Sequence, residues 1–173
     1  MPPVGSSSDW LRWLKDRNPK RVHEAKLALG GIAEGDYVEV APLIEALFAN
    51  DDKLVFWALV ALHRLGSRSE SSISRVRALG LEGTTPAIRQ AAALAMVMIA
   101  PADKVTSQTL RLMLKDTSPL VRREALQAMI SLTNVGPEDL GAISAMAADP
   151  DPHVSSGSEI ALRNIAHKAR ESK

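Results

Sequence analysis

The chain has 173 residues, 46% of them apolar, with 21 basic and 20 acidic side chains and no cysteine. That length and apolar fraction allow one folded domain with a sizeable core. The lack of cysteine excludes disulfides, thiolate metal sites and thiol catalysis, and the near-neutral charge lacks the overall basic bias of a dedicated nucleic-acid binder. Charge is even along the chain, with 11 basic and 11 acidic residues in 1–86 and 10 and 9 in 87–173.

Residues 1–8, MPPVGSSS, hold neither a basic start nor an apolar run, so no secretory signal is visible and they are expected to be a flexible lead-in. Ser8 or Asp9 is placed to cap a short helix bearing Trp10, Leu11, Trp13 and Leu14, and Pro19 opens a second helix that runs to about Ile32. Two tryptophans at the edge of an array fit a terminal cap over the first open core. Gly30, Gly31 and Gly35 end that helix, and Tyr37–Val40 is too short for a strand and reads as an extended linker. The next pair starts near Ala41–Pro42. After the turn at Asn50–Asp52, LVFWALVALHRL is apolar nearly all round, the mark of a helix buried on several sides, and Gly66 terminates it. SRSESS, residues 67–72, is a polar linker. A weaker helix over Ile73, Val76, Leu79 and Leu81 leads to Pro86 and a helix to Ile99. Pro101–Asp103 starts the fourth pair, with Leu110, Leu112, Met113 and Leu114 facing inward or toward neighbours. DTSPLVRREALQAMISL, residues 116–132, supplies its second helix. Val135–Asp139 caps the fifth pair, Asp149–Pro152 forms its turn, and the last helix spans Val154 to about Ala166 before the chain frays.

The second helices are copies of one another. Pro19, Asp52, Pro86, Pro119 and Pro152 stand 33, 34, 33 and 33 residues apart. Nine residues after each anchor stands an alanine: Ala28, Ala61, Ala95, Ala128 and Ala161. Six after come Ala25, Ala58, Ala92, Ala125 and Ser158, ten after come Leu29, Leu62, Met96, Met129 and Leu162, and thirteen after come Ile32, Leu65, Ile99, Leu132 and Ile165. Five helices in register at one period define a repeat array. The fold class expected is all-α: an α-α superhelix of about five hairpins. Residues 9–168 form one domain with repeats at about 9–34, 38–67, 70–100, 103–134 and 137–167, flanked by a flexible 1–8 and a frayed 169–173.

DTSPLVRREALQAMISL resembles the second helix of a HEAT repeat, with Asp and Pro before a Val-Arg pair and then spaced Ala and Leu. GTTPAIRQAAALAMVMI and DPDPHVSSGSEIALRNI resemble it too. The arginine of that pair is present at Arg89 and Arg122 and replaced at Val22, Val55 and Ser155, so the third and fourth repeats are typical and the others degenerate, as suits capping units. The short period is similar to that of compact HEAT-like repeats in bacterial proteins and phycobilisome lyases. Tetratricopeptide repeats have nearly this period, but their aromatic and glycine signature is missing here. Ankyrin repeats share the period, faintly echoed by Ser118–Leu120, yet the Ala and Leu spacing fits HEAT better. The resemblance implies that Asp16, Asp116 and Asp149 hold inter-helix turns and that Arg89 and Arg122 ladder between repeats.

No chemistry is legible. His23, His63, His153 and His167 lie at no helical metal-pair spacing, no phosphate loop is present, and no nucleophile motif surrounds the serines. No catalytic residue, metal or cofactor is expected, and the cytoplasm is the expected compartment. What remains is surface. Positions four, eight and eleven after each anchor lie opposite the core stripe and are expected to line the concave side. The candidate partner-binding residues are therefore His23, Phe56, Val60, His63, Leu94, Val97, Arg123, Gln127 and Arg163. An apolar middle between polar or basic flanks suits a partner helix or extended peptide, so a non-catalytic interaction scaffold is expected. The same apolar residues could instead be buried between neighbouring helices. Nucleic-acid binding through the basic flanks, as in HEAT-like alkylpurine DNA glycosylases, and a lyase-like or chaperone role by fold analogy are the alternatives.

Overall fold

Helix-start chemistry recurs at each hairpin, and it fixes where the helices begin. The computed structural model describes residues 5–33 and 35–171, with only the backbone of Glu171. Pairing along the chain gives α1 (Ser7–Trp13) with α2 (Pro19–Gly30), α3 (Ala41–Ala46) with α4 (Asp52–Leu65), and α5 (Ile73–Glu82) with α6 (Pro86–Ile99). Then α7 (Lys104–Met113) pairs with α8 (Pro119–Ile130) and α9 (Pro137–Ala145) with α10 (Pro152–Glu171). No strand occurs among the described residues. Proline opens α2, α6, α8, α9 and α10, where its missing N–H costs nothing. Side-chain oxygens of Asn18, Asp51, Thr85 and Asp103 accept from otherwise orphaned N–H groups at the starts of α2, α4, α6 and α7. Gly66 ends α4 at φ 55°, a backbone conformation that disfavours any side chain.

The second helices stack in series, α2 on α4, α4 on α6, α6 on α8 and α8 on α10, and the first helices form an outer layer against them. The repeat code is the core of this stack. Ala28, Ala61, Ala95, Ala128 and Ala161 are all buried, as are Leu29, Leu62, Met96 and Met129 beside them. Alanine at the helix-helix contact lets backbones approach, and the larger residue one position on fills the space alongside. Of the stripe positions only Leu162 is partly exposed.

Four boundaries differ from the sequence reading. First, α1 is capped by Ser6, not Ser8 or Asp9: Ser6 and Asp9 form a reciprocal capping box, and Ser7 is buried with its hydroxyl donating to Glu39 O at 2.9 Å. The lead-in is therefore ordered from within the expected 1–8 segment, whose residues 1–4 lie outside the described ones. Second, α2 closes at Gly30, two residues short of Ile32. Third, the polar stretch 67–72 is not a loose linker. It belongs to a 3-10 helix, Gly66–Ser72, in which Ser69 and Ser72 are buried and satisfied: Ser69 Oγ lies 2.7 Å from Gly66 O and Ser72 Oγ donates to Ser69 O at 2.7 Å. Fourth, α10 runs past Ala166 to Glu171, and Lys168 Nζ donates to Leu132 O at 3.1 Å, which ties this extension to the end of the previous repeat. Of the expected frayed tail, 169–171 is helical and 172–173 lies outside the described residues.

Arginines tie neighbouring repeats together. Arg89 makes two hydrogen bonds to the Asp116 carboxylate, at 2.6 and 3.0 Å, and a third to Gly83 O. One repeat on, Arg122 makes the same bidentate contact to Asp149, at 2.7 and 2.8 Å, and a third to Asp116 O. Each aspartate also accepts from a turn N–H, Ser118 for Asp116 and Asp151 for Asp149. Asp16 holds the first turn through Asn18 N–H but pairs with Arg21 of its own repeat. The outer layer has a second set that the sequence does not announce. Arg75 donates to Leu47 O, Arg77 reaches Asp103 at 2.9 Å, and Arg111 reaches the buried Asp139 at 2.6 Å.

These contacts set the acid stability. At Asp116, burial opposes the charged form but is outweighed by the Arg89 and Ser118 hydrogen bonds and the arginine charges, so the carboxyl lies below its ordinary range. Asp139 is held low in the same way, against burial, by Ser107, Gly136 N–H and Arg111. At Asp149 the Arg122 hydrogen bonds dominate and lower it. A carboxyl depressed in the folded state binds fewer protons folded than unfolded. Its contribution is therefore complete above the unfolded value of about 3.9 and is lost as pH falls through the folded value. Urea midpoints measured down the acid range should stay level to about pH 4 and then drop steeply. Glu124 has the opposite sign. Burial raises it, only partly countered by Arg123, so its ionisation costs stability as pH rises past the unfolded value of about 4.3. Glu124→Gln should therefore raise the melting temperature at pH 7 and leave it nearly unchanged at pH 3.

Candidate partner-binding face

The face of the second helices turned away from the core stripe opens into a cleft between α4 and α6. Phe56, Val60, His63 and Arg64 come from α4 and Ala87, Gln90, Ala91 and Leu94 from α6, and together they enclose about 400 Å³. The local folding logic is simple. Four residues make slightly more than one turn, so positions four and eight after each anchor stack along one edge of each helix. The small Ala87 and Ala91 opposite Phe56 and Val60 leave the gap between the helices.

The cleft walls are fixed. The Phe56 ring meets Trp57 edge-on at 5.6 Å between centroids, and the Trp57 ring also has Lys26 Nζ over it at 5.8 Å. His63 Nδ1 lies 3.2 Å from Leu94 O across the cleft, and Gln90 Nε2 donates to Leu120 O on α8 at 3.3 Å. Phe56, Val60 and Leu94 are partly exposed, with an apolar surface that no other part of the chain covers fully.

Of the residues expected on this face, Phe56, Val60, His63 and Leu94 are brought together in the cleft. His23 on α2, Arg123 and Gln127 on α8, and Arg163 on α10 are exposed at the equivalent positions but lie outside it. Val97 is a correction: it is only 4% exposed and cannot line an open face. Position eleven leans toward the following second helix, as the His63 contact to Leu94 O shows. Conversely, the face is wider than three positions per repeat. Positions one and twelve belong to it as well, which adds Ala87 and Arg64 to the cleft and Leu120 and Met98, 49% and 47% exposed, beside it. The signal was in the sequence, since at 3.6 residues per turn positions one, four, eight, eleven and twelve all fall within one arc about 100° wide.

Larger hollows exist elsewhere. One of about 780 Å³ lies between α7 and α9 over Ser107, Arg111 and Asp139. These three side chains satisfy one another: Ser107 Oγ and Arg111 both donate to Asp139, whose other oxygen accepts from Gly136 N–H at the start of α9. They are structural groups. Among the described residues no cluster of three or more His, Asp or Glu side chains could hold a metal ion, and no helix is long and apolar enough to cross a membrane.

The architecture has counterparts among solved structures. An engineered protein superposes with a TM-score of 0.64 at 20% identity, covering 94% of this chain and 82% of its own. A designed armadillo repeat protein in complex with the peptide (KR)4 gives 0.62 at 18% identity, covering 91% of this chain and 81% of its own. The fold is an α-solenoid of helical repeats. Tumor overexpressed gene (TOG) domain arrays of microtubule polymerases, described in the context of tubulin recruitment, match at 0.51 and 14% identity, over 90% of this chain but 39% of theirs. No protein-family model and no curated protein matches the sequence.

Proposed function

We propose that this solenoid is a non-catalytic scaffold that docks a partner helix or extended peptide on its second-helix face, with the α4–α6 cleft as the anchor site. The observation that carries the reading is the cleft itself. Phe56, Val60 and Leu94 present apolar surface to solvent in one concave site, and an aromatic anchor point ringed by polar groups is what a docked segment needs. Two neighbours in fold are described with a peptide or with tubulin, which is consistent with such use of a solenoid surface.

Affinity capture from the native host followed by mass spectrometry is the test. Phe56→Glu or Leu94→Glu should abolish capture of the specific partner while helical circular dichroism and the melting temperature stay within a few degrees of the parent. Both side chains are partly exposed, so a charge can turn to water at little cost to folding. Unfolding of these variants would show the residues to be core, and unchanged capture would place the docking site elsewhere; either result sinks the reading.

A further inference from the structure

The second-helix face carries more cations than carboxylates. Positions one, four, eight, eleven and twelve after the five anchors carry Lys20, Lys53, Arg64, Arg123 and Arg163, all exposed, and three of the four histidines. Not one of those positions holds Asp or Glu. Position five, which contributes Ala91 to the cleft, adds two carboxylates, Glu24 and Glu124, both partly buried, against these five exposed cations. The ion pairs of the described residues use Arg12, Lys15, Arg21, Arg77, Arg89, Arg111 and Arg122, and none uses a cation of this face. A chain of net charge +1 thus gathers an excess of cations on one face. The same face holds exposed Leu27, Met98, Leu120 and Ile160 around the Phe56–Leu94 cleft.

From this pairing of an apolar floor with cations that form no ion pair among the described residues we infer that the docked segment is an acidic amphipathic one, a protein segment whose apolar side chains enter the cleft while flanking Asp and Glu meet Arg64, Arg123 and Arg163. The inference rests on the docking reading above and adds the partner's charge. Charge complementarity steers encounter and rejects basic competitors. A polyanion such as duplex DNA would satisfy the cations but leave the apolar floor without a partner.

A display library of random peptides selected on the full chain tests it. Selected peptides should be enriched in Asp and Glu interleaved with large apolar residues. A labelled selected peptide should bind more weakly as salt rises, lose at least about tenfold in affinity to the Arg64→Glu/Arg123→Glu variant, and fail to bind Phe56→Glu. Selection of peptides with no acidic bias, still lost in Phe56→Glu, overturns the acidic partner and leaves the docking reading standing. Peptides indifferent to Phe56→Glu, or no selection at all, overturn both. So does salt-sensitive capture of a short DNA duplex without peptide selection, which would mark the face as nucleic-acid binding.

Discussion

Arg122→Ala is expected to lower stability by about 3 kcal/mol, read as a fall of about 10 °C in the melting temperature. The size follows from what the side chain leaves behind. Arg122 and Asp149 are 13% and 5% exposed, and their contact is bidentate. Removing the guanidinium leaves Asp149 charged, nearly buried and short of two donors, and it also frees Asp116 O. Asp149 keeps only the Asp151 N–H. Arg122→Lys should recover less than half of the loss, because an ammonium cannot make the planar two-point contact. Asp149→Ala should cost a similar amount, and the double variant should cost clearly less than the sum, since neither charge is then stranded. An additive double variant would show that the pair is not coupled and that the repeats are held by apolar packing alone.

Leu62→Ala should cost still more, about 3–4 kcal/mol, whereas Leu94→Ala should cost less than about 1.5 kcal/mol. Leu62 is fully buried in the α4 stripe, where α2 and α6 flank it, and truncation leaves a void that backbones already in close contact cannot fill. Leu94 stands on the open face with one side in solvent. Urea unfolding of the two variants side by side therefore separates the packing code from the face that varies between repeats. Comparable losses would mean that the cleft floor is core, contrary to its assignment as a docking site.

The resemblance between the five second helices made most of the fold readable. Alanine at position nine and a large residue at position ten are packing instructions written in every copy, and their burial followed. The Asp-x-x-Pro turn and the arginine after the aliphatic residue likewise pointed to arginines laddering between repeats, and the structure pairs Arg89 with Asp116 and Arg122 with Asp149 in the turn of the next repeat. The outer layer was less legible. Its helices do not copy one another, so Arg77–Asp103 and Arg111–Asp139 had no register from which to be read.

What the sequence by itself determined is the set of interactions that repeat: the period, the second-helix starts, the buried stripe and the arginine ladder. All are local, or local plus one fixed step. Only the tertiary structure decided which side of each helix stays open. Val97 and His63 occupy the same position in their repeats, yet the first is buried while the second borders a cleft. That difference depends on the size of side chains on the adjoining helix and on the alanines at 87 and 91, and no single helix records it. The serines of 69 and 72 became a buried 3-10 turn for the same reason: their hydroxyls found backbone carbonyls at hand once α4 was capped at Gly66. Helical periodicity fixes the direction in which a side chain points, and the packing of the next helix determines whether water meets it there.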